Sequence, residues 1–296
     1  MVHTLDLHFK VESAIASFLV ETSEGPVLVE TGPHSTFEML KKGLATHGYT
    51  PGDIQHVFLT HIHFDHAGGA WAFAETGAKV YVHPFGYKHM LDPTKLYNSA
   101  KRIYGEEMES LWGEMHAIPA DQLISVEDES EVQVGDHTFK ALHTPGHASH
   151  HIAWQIGEEI FTGDVAGCRV NLGPVVPPCP PPDIDIEAWE RSIQRILSLD
   201  PQKLYLTHYG EVTDVQAHFE ELSERLQGWK AWMKPYFEAG TSPAEVTPKF
   251  QAFAAKELRD AGVPEREIPM YEAANPAWMS VAGLLRYWKK YMEKQG

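Results

Sequence analysis

Cysteine is scarce: Cys168 and Cys179 are the only two in 296 residues. Their separation fits no zinc-site spacing, and with no secretory signal the expectation is two reduced thiols, not a disulfide. Long apolar runs are lacking too. Nothing approaches the roughly 18 consecutive apolar residues of a membrane span, and no early stretch joins a basic start to an apolar core. Ser13 to Val20 lies between Glu12 and Glu21 and reads as a strand. Basic residues are also few, 24 against 41 acidic, for a net charge of −17. An enzyme that grips nucleic acid normally offers a Lys/Arg face to the phosphates, and no such cluster is present. These absences predict a cytoplasmic protein acting on a small molecule, with neither nucleic acid nor a membrane as partner. The only biased tract is Pro174 to Pro182, which should be a stiff, extended loop. At 43% hydrophobic, the chain can bury a sizeable core.

What is present is concentrated in six residues, His61, Ile62, His63, Phe64, Asp65 and His66, followed at once by Ala67, Gly68 and Gly69. Three imidazoles and a carboxylate, all ligands for a borderline metal such as zinc, fall on one short turn. Gln55 to Thr60 reads as a β-rich run, and Ala67 to Glu75 as a helix closed by Gly77. The cluster therefore sits at a strand-to-helix turn, where α/β sheets usually carry their sites. Three later strands each deliver one more candidate ligand beside a Gly turn. Thr138 to Leu142 runs towards Thr144-Pro145-Gly146-His147, Glu159 to Phe161 into Thr162-Gly163-Asp164, and Lys203 to Leu206 into Thr207-His208-Tyr209-Gly210. A single His at a strand end is commonly structural; this succession reads as a coordination sphere.

On Thr60-His61-x-His63-x-Asp65-His66-x-Gly68-Gly69, Thr144-Pro145-Gly146-His147, Thr162-Gly163-Asp164 and Thr207-His208, the chain resembles the metallo-β-lactamase-fold hydrolases, in particular the glyoxalase II-like branch. The resemblance runs from about Val29 to His208 and leaves the C-terminal third unmatched. It implies an α/β fold, a four-layer α/β/β/α metallo-β-lactamase sandwich with metals at the edge where the sheets meet. It also implies His61, His63 and His147 on a first metal, Asp65, His66 and His208 on a second, and Asp164 bridging the two. One position departs from the pattern. Leu28-Val29-Glu30-Thr31-Gly32 carries Glu where the family often has Asp, so any hydrogen bond from that carboxylate to the metal turn would be made differently. Glu30 is not counted as a ligand.

The implied cofactors are two divalent ions, zinc first, with iron or manganese equally suited to imidazole and carboxylate. Two ions about 3.5–4 Å apart can share a water whose pKa falls from about 15.7 to about 7. A metal-bridging hydroxide is then the expected nucleophile towards an ester, thioester, lactone or related small molecule. Asp65 would orient it and pass a proton towards the leaving group. Tyr209 would face the same space, and Arg169 would meet a substrate carboxylate or make an ordinary ion pair. The alternatives are a mononuclear iron enzyme like the persulfide dioxygenases, on His61, His147 and Asp164, a nuclease or phosphodiesterase of the same fold, or a metal-stabilised binding protein without turnover. A bridging Asp164 points to the glyoxalase-like and lactonase-like branches and away from β-lactam hydrolysis.

Helices are expected elsewhere. Between residues 84 and 123 the apolar positions Leu96, Ala100, Ile103, Tyr104, Met108, Leu111 and Trp112 recur at helical spacing after an Asp92-Pro93 start. This insertion either packs on the sheet or forms a pocket wall carrying Tyr97 or Tyr104. From Thr213 onwards Val215, Phe219, Leu222, Leu226 and Trp229 mark one helical face, Ser242-Pro243-Ala244-Glu245 is a capping box, and Asn275-Pro276 opens a last helix. The broad apolar stripe of that helix suits core packing, a cover for the site or a homodimer face. Glyoxalase II-like enzymes hold a glutathione thioester in this region through basic and polar residues, and no clear match to that pattern is present. The expected division is a catalytic domain over 1–211, containing the insertion, and a helical extension over 212–296.

Overall fold

A computed structural model describes residues 1–295. The chain forms two six-stranded sheets whose central strands are buried on both faces. The first holds β1 (Val2–Asp6), β2 (Ala16–Thr22), β3 (Gly25–Val29), β4 (His56–Phe58), β5 (Lys79–Val82) and β6 (Leu123–Ser125) in that order, with β1 to β3 antiparallel and β3 to β6 parallel. The second runs in the order β12-β11-β10-β9-β8-β7. Its strands are β7 (Glu131–Val134), β8 (His137–His143), β9 (Ile152–Ile156), β10 (Glu159–Phe161), β11 (Lys203–Leu206) and β12 (Gly210–Val212). All its pairs are antiparallel except β10 with β11.

Strand periodicity then divides the core into three. Successive side chains point to opposite faces, so Phe18, Val29 and Phe58 of the first sheet meet Phe139, Trp154, Phe161 and Tyr205 of the second between the sheets. Phe58 lies at the centre, stacked on Phe139 with centroids 4.1 Å apart and edge-on to Trp154 at 4.9 Å. The alternate residues Leu19, Leu28 and Val57 turn outward to α1 (Phe37–Thr46) and its neighbours. On the other side Leu142, Ala153, Ile160 and Leu204 turn outward to helices that include α7 (Ile186–Leu197). Strands buried on both faces read as near-continuous apolar runs, and here the two faces belong to different layers. The result is the expected four-layer α/β/β/α sandwich.

The helices differ from expectation at the metal turn. In place of one helix over Ala67 to Glu75, α2 (Phe64–Ala67) begins inside the motif and α3 (Ala70–Ala74) follows a break at Gly68-Gly69. A side chain at Gly68 would stand 2.6 Å from the Phe64 carbonyl oxygen and 3.0 Å from Pro33 Cα. The glycines thus press this turn against the loop after β3. The insertion comprises α4 (Pro84–Leu91), α5 (Thr94–Tyr104) and α6 (Met108–Trp112), and the Asp92 carboxylate accepts from the Thr94 N–H at 3.1 Å. The C-terminal region is α8 (Val215–Glu238), α9 (Pro243–Asp260) with the expected capping box at Ser242 and Glu245, α10 (Ile268–Ala274) and α11 (Ala277–Gln295). Periodicity had not marked α10. Phe219, Leu222, Leu226 and Trp229 join the same hydrophobic cluster as the outer face of the second sheet. No helix among the described residues is long and apolar enough to cross a membrane.

Candidate metal centre

The chain direction of the second sheet assembles the site. Because β9 is antiparallel to both β8 and β10, and β11 is parallel to β10, the strands β8, β10 and β11 run the same way. Their C-terminal ends lead to His147, Asp164 and His208, opposite the turn after β4 that carries His61, His63, Asp65 and His66. Two of the turns require glycine. At Gly146, with φ 141°, an added Cβ would meet Trp189 Cα at 2.3 Å; at Gly163, with φ 49°, it would meet Thr60 Oγ1 at 2.3 Å.

Three triads of ligand-type atoms result: Glu30 with His61 and His66, and a first and a second triad that share no residue. In the first, His63 Nδ1 stands 2.9 Å from His61 Nε2 and 3.0 Å from His147 Nε2. In the second, Asp65 Oδ2 is 3.7 Å from His66 Nε2 and 3.5 Å from His208 Nε2. Asp164 lies between them. Its Oδ2 is 3.2 Å from His147 Nε2, while its Oδ1 is 3.2 Å from His66 Nε2 and 3.4 Å from His208 Nε2. All seven residues predicted as ligands therefore converge.

The outer contacts fix which nitrogen of each ring faces inward. His147 Nδ1 donates to the Pro178 carbonyl at 2.9 Å and His208 Nδ1 to the Ala14 carbonyl at 2.6 Å. A carbonyl can only accept, so Nδ1 carries the proton of each neutral ring and leaves the lone pair on Nε2. Glu30 completes the set. Its fully buried carboxylate accepts from the Thr60 hydroxyl, which in turn faces His61 Nδ1 at 3.0 Å, and its Oε1 also receives His66 Nδ1 at 3.2 Å. The longer acid thus takes two of the inner imidazoles' outer nitrogens into one network. His151 supports Asp164 from behind: its Nε2 accepts the Asp164 N–H at 3.3 Å and its Nδ1 meets the Thr144 hydroxyl at 2.8 Å.

The electrostatics differ between the triads. Burial drives His61 well below its ordinary value, brings His63 to about 4 and lowers His147. Those three rings are neutral, the form that binds a metal. Around the second triad burial is outweighed by charge. The carboxylates of Asp164 and Asp65 raise His66 and His208, while against the same burial His66 and its neighbours hold Asp65 at about 2 and Asp164 well below the usual range. The buried His66 Nε2, His208 Nε2 and Asp164 Oδ1 have no hydrogen-bonding partner among the described residues. Buried polar atoms are rarely left so, and these three face one another. Two nitrogens and a carboxylate oxygen converging in this way suit a divalent cation, and the donor set fits the metals expected from the sequence.

Residues 12–208 match the family model of the metallo-beta-lactamase superfamily. The chain belongs to that superfamily. Its relatives include a metallo-beta-lactamase fold-containing protein of Sulfurisphaera tokodaii, 31% identical over 176 residues, which cover 57% of this chain and 66% of the relative. An N-acyl homoserine lactonase of Bacillus thuringiensis is 29% identical over 184 residues, 54% of this chain and 67% of that one. A hydroxyacylglutathione hydrolase of Maricaulis maris is 32% identical over 170 residues, 56% of this chain and 52% of that one. The matches thus span between about half and two thirds of these relatives' lengths. A metallo-beta-lactamase family protein of Thermus thermophilus shares the fold with a TM-score of 0.72 at 20% identity, over 98% of this chain and 94% of that one.

A cavity of about 620 Å³ opens from the two triads. His63, Asp65, Asp164 and His208 line its inner end. Arg169 and Tyr209 do not line it, contrary to the expectation that they meet substrate. The Arg169 guanidinium instead takes the ion-pair alternative, 2.7 Å from Asp214, and donates to the Gly173 carbonyl at 3.0 Å. Tyr209 packs against the core between the sheets. Of the two tyrosines expected on a pocket wall, Tyr104 lines the cavity and Tyr97 packs, partly buried, against the neighbouring core. His150 was not anticipated. It also lines the cavity, its ring centroid is 5.6 Å from that of His63, and its buried Nδ1 has no partner among the described residues. Its only sequence signal is that it directly precedes His151, in the run that begins at His147.

Proposed function

We propose that this protein is a dinuclear metallohydrolase of acyl compounds, splitting an ester, thioester or lactone with two divalent ions, zinc first. The observation that carries the reading is Asp164, whose two oxygens face different triads at 3.2 Å each. A mononuclear site on His61, His147 and Asp164 would leave the convergence of Asp65, His66 and His208 without a purpose.

His61, His63, His147 and one oxygen of Asp164 would hold the first ion, and Asp65, His66, His208 and the other oxygen the second. When bound, such a pair lowers the pKa of a coordinated water and polarises a substrate carbonyl. The residues supply the rest. Glu30, Pro178 and Ala14 aim the inner nitrogens and place the proton of each neutral ring on its outer side. Asp65, already ionised, has one oxygen towards its triad and a carboxylate on the cavity wall, where it can accept the proton of the attacking water and return it to the leaving group. Overall, water gives its oxygen to the carboxylic acid, the acyl carbon–oxygen or carbon–sulfur bond breaks, and the alcohol or thiol departs with a proton. His150 offers a hydrogen-bonding group beside His63 for a polar leaving portion.

Elemental analysis of the purified chain together with a turnover screen over esters, thioesters, lactones and phosphodiesters tests this. Two ions per chain and acyl hydrolysis are expected. A single iron with thiol-dependent oxygen uptake, or phosphodiester cleavage alone, would replace the reading.

A further inference from the structure

The cavity is far more apolar than a small polar acyl substrate needs. Its wall on one side comes from the insertion, with Leu96, Ala100, Ile103, Tyr104 and Trp112, and on the other from the end of α10 and the start of α11, with Trp278 and Met279. These two segments, more than 160 residues apart in sequence, meet directly: the Tyr104 hydroxyl lies 3.4 Å from Met279 Sδ, and its ring stands edge-on to Trp278 at 5.7 Å. The inner wall, Ile62, Phe64, Ala100 and Trp112, is buried. Towards the rim, Phe85 and Ile103 are 58% and 54% exposed, two of the few large apolar side chains that the chain leaves in water. The apolar lining is therefore continuous from the carboxylates of Asp65 and Asp164 to an exposed apolar rim. Polar residues also line the cavity: Lys10, Lys88, His89 and Glu107 among them, and Ser149, His150 and Asp183, with the Ser149 hydroxyl 2.6 Å from Asp183. A pocket of several hundred Å³ with an apolar wall and few polar groups is built for a ligand with a large apolar part.

Resting on the hydrolase reading, we propose that the acyl group of the substrate is a long, unbranched apolar chain, held between the insertion and the α10–α11 segment, with its carbonyl at the metal end. The leaving portion then lies against Ser149, His150 and Asp183. Tyr104 and Trp278 grip the chain midway, and Phe85 and Ile103 shield its far end where it reaches the rim. A net charge of −17 disfavours an anionic lipid surface as the source of the substrate, so the ligand is taken as a monomer from solution.

The test is a series of acyl esters and thioesters of increasing chain length, acetyl to dodecanoyl, turned over by the full metal-loaded chain. Each buried methylene is expected to raise kcat/KM roughly two- to fourfold until the cavity is filled, mostly through KM. Ile103→Glu, a change at an exposed position that puts a charge in the rim, should lower the ratio of decanoyl to acetyl kcat/KM roughly tenfold or more. Binding is read separately, by displacing a dansylated undecanoic acid with decanoate and with acetate. Decanoate should compete at far lower concentration than acetate. Turnover with a flat or falling chain-length profile overturns this inference and leaves the hydrolase reading standing. Strong displacement by decanoate with no acyl turnover keeps the apolar site and removes the hydrolase reading.

Discussion

At the scale of single residues, Glu30 needs the most explanation, because it stands outside the seven expected ligands and yet connects to both triads, to His66 directly and to His61 through Thr60. It lies at φ 64° immediately after β3 and has no exposure, a costly place for a carboxylate unless it is fully bonded. Its contacts with Thr60 and His66 meet that cost. Glu30→Gln should weaken metal binding roughly tenfold to a hundredfold, the usual effect of losing an outer hydrogen bond to a ligating imidazole, as read by competition with a chromophoric chelator; unchanged affinity would reduce Glu30 to a packing residue. Asp65 has a different signature. Asp65→Asn should lower kcat by about 10²–10⁴-fold with a smaller change in KM, since an amide cannot take up the proton. Steady-state kinetics on a variant of measured metal content checks this, and a loss of one ion per chain with proportional loss of activity would assign Asp65 to binding alone.

At the scale of elements, the strand ends were legible because each ligand follows an apolar run within one short window, beside a glycine turn. His147, Asp164 and His208 needed no long-range information to be found. The helix boundaries were less so: Ala67 to Ala74 has the composition of one helix, and only the close approach of Pro33 shows why it breaks at Gly68. The hydrogen bonding of Glu30 and the cavity wall were legible only as open alternatives, since Glu30 meets Thr60 across neighbouring strands and Tyr104 meets Met279 across most of the chain. The glycine turns can be weighed against one another. Gly146 and Gly157 both have positive φ, but a side chain would strike the Trp189 backbone at the first and nothing within 4 Å at the second. Gly157→Ala should cost about 1–2 kcal/mol, the price of the left-handed conformation alone, and Gly146→Ala at least about 2 kcal/mol more from overpacking. Chemical denaturation of the two variants gives the difference; equal losses would mean that α7 yields freely.

At the scale of the whole molecule, buried imidazoles make stability depend on pH. His218 on α8 is almost wholly buried and donates to the Ala166 carbonyl at 2.7 Å, and burial lowers its pKa to about 4. The unfolded chain takes up that proton near the ordinary value of about 6.5. Between those values only the unfolded state is protonated, so the stability present above about pH 6.5 is lost as the pH falls towards 4, by up to roughly 3 kcal/mol from this group. His218→Gln should flatten the acid limb of the unfolding free energy in metal-free protein, as followed by urea titration at successive pH values; an unaltered limb would assign the loss to other groups. Metal acts in the opposite sense. Ions bound only by the folded chain at a thousand times their dissociation constant should add about 4 kcal/mol each, removable with a chelator and visible as a fall in the midpoint of thermal unfolding. The seven proposed ligands sit at residues 61–66, 147, 164 and 208, on turns at the edges of the two sheets, whereas the opposing cavity walls at Leu96–Trp112 and Trp278–Met279 carry none of them. On the proposed reading, the residues for reactivity and those for selectivity are interleaved along the gene but do not overlap: substitutions or insertions in the wall segments would change what is cleaved, generation after generation, while leaving the means of cleaving it intact.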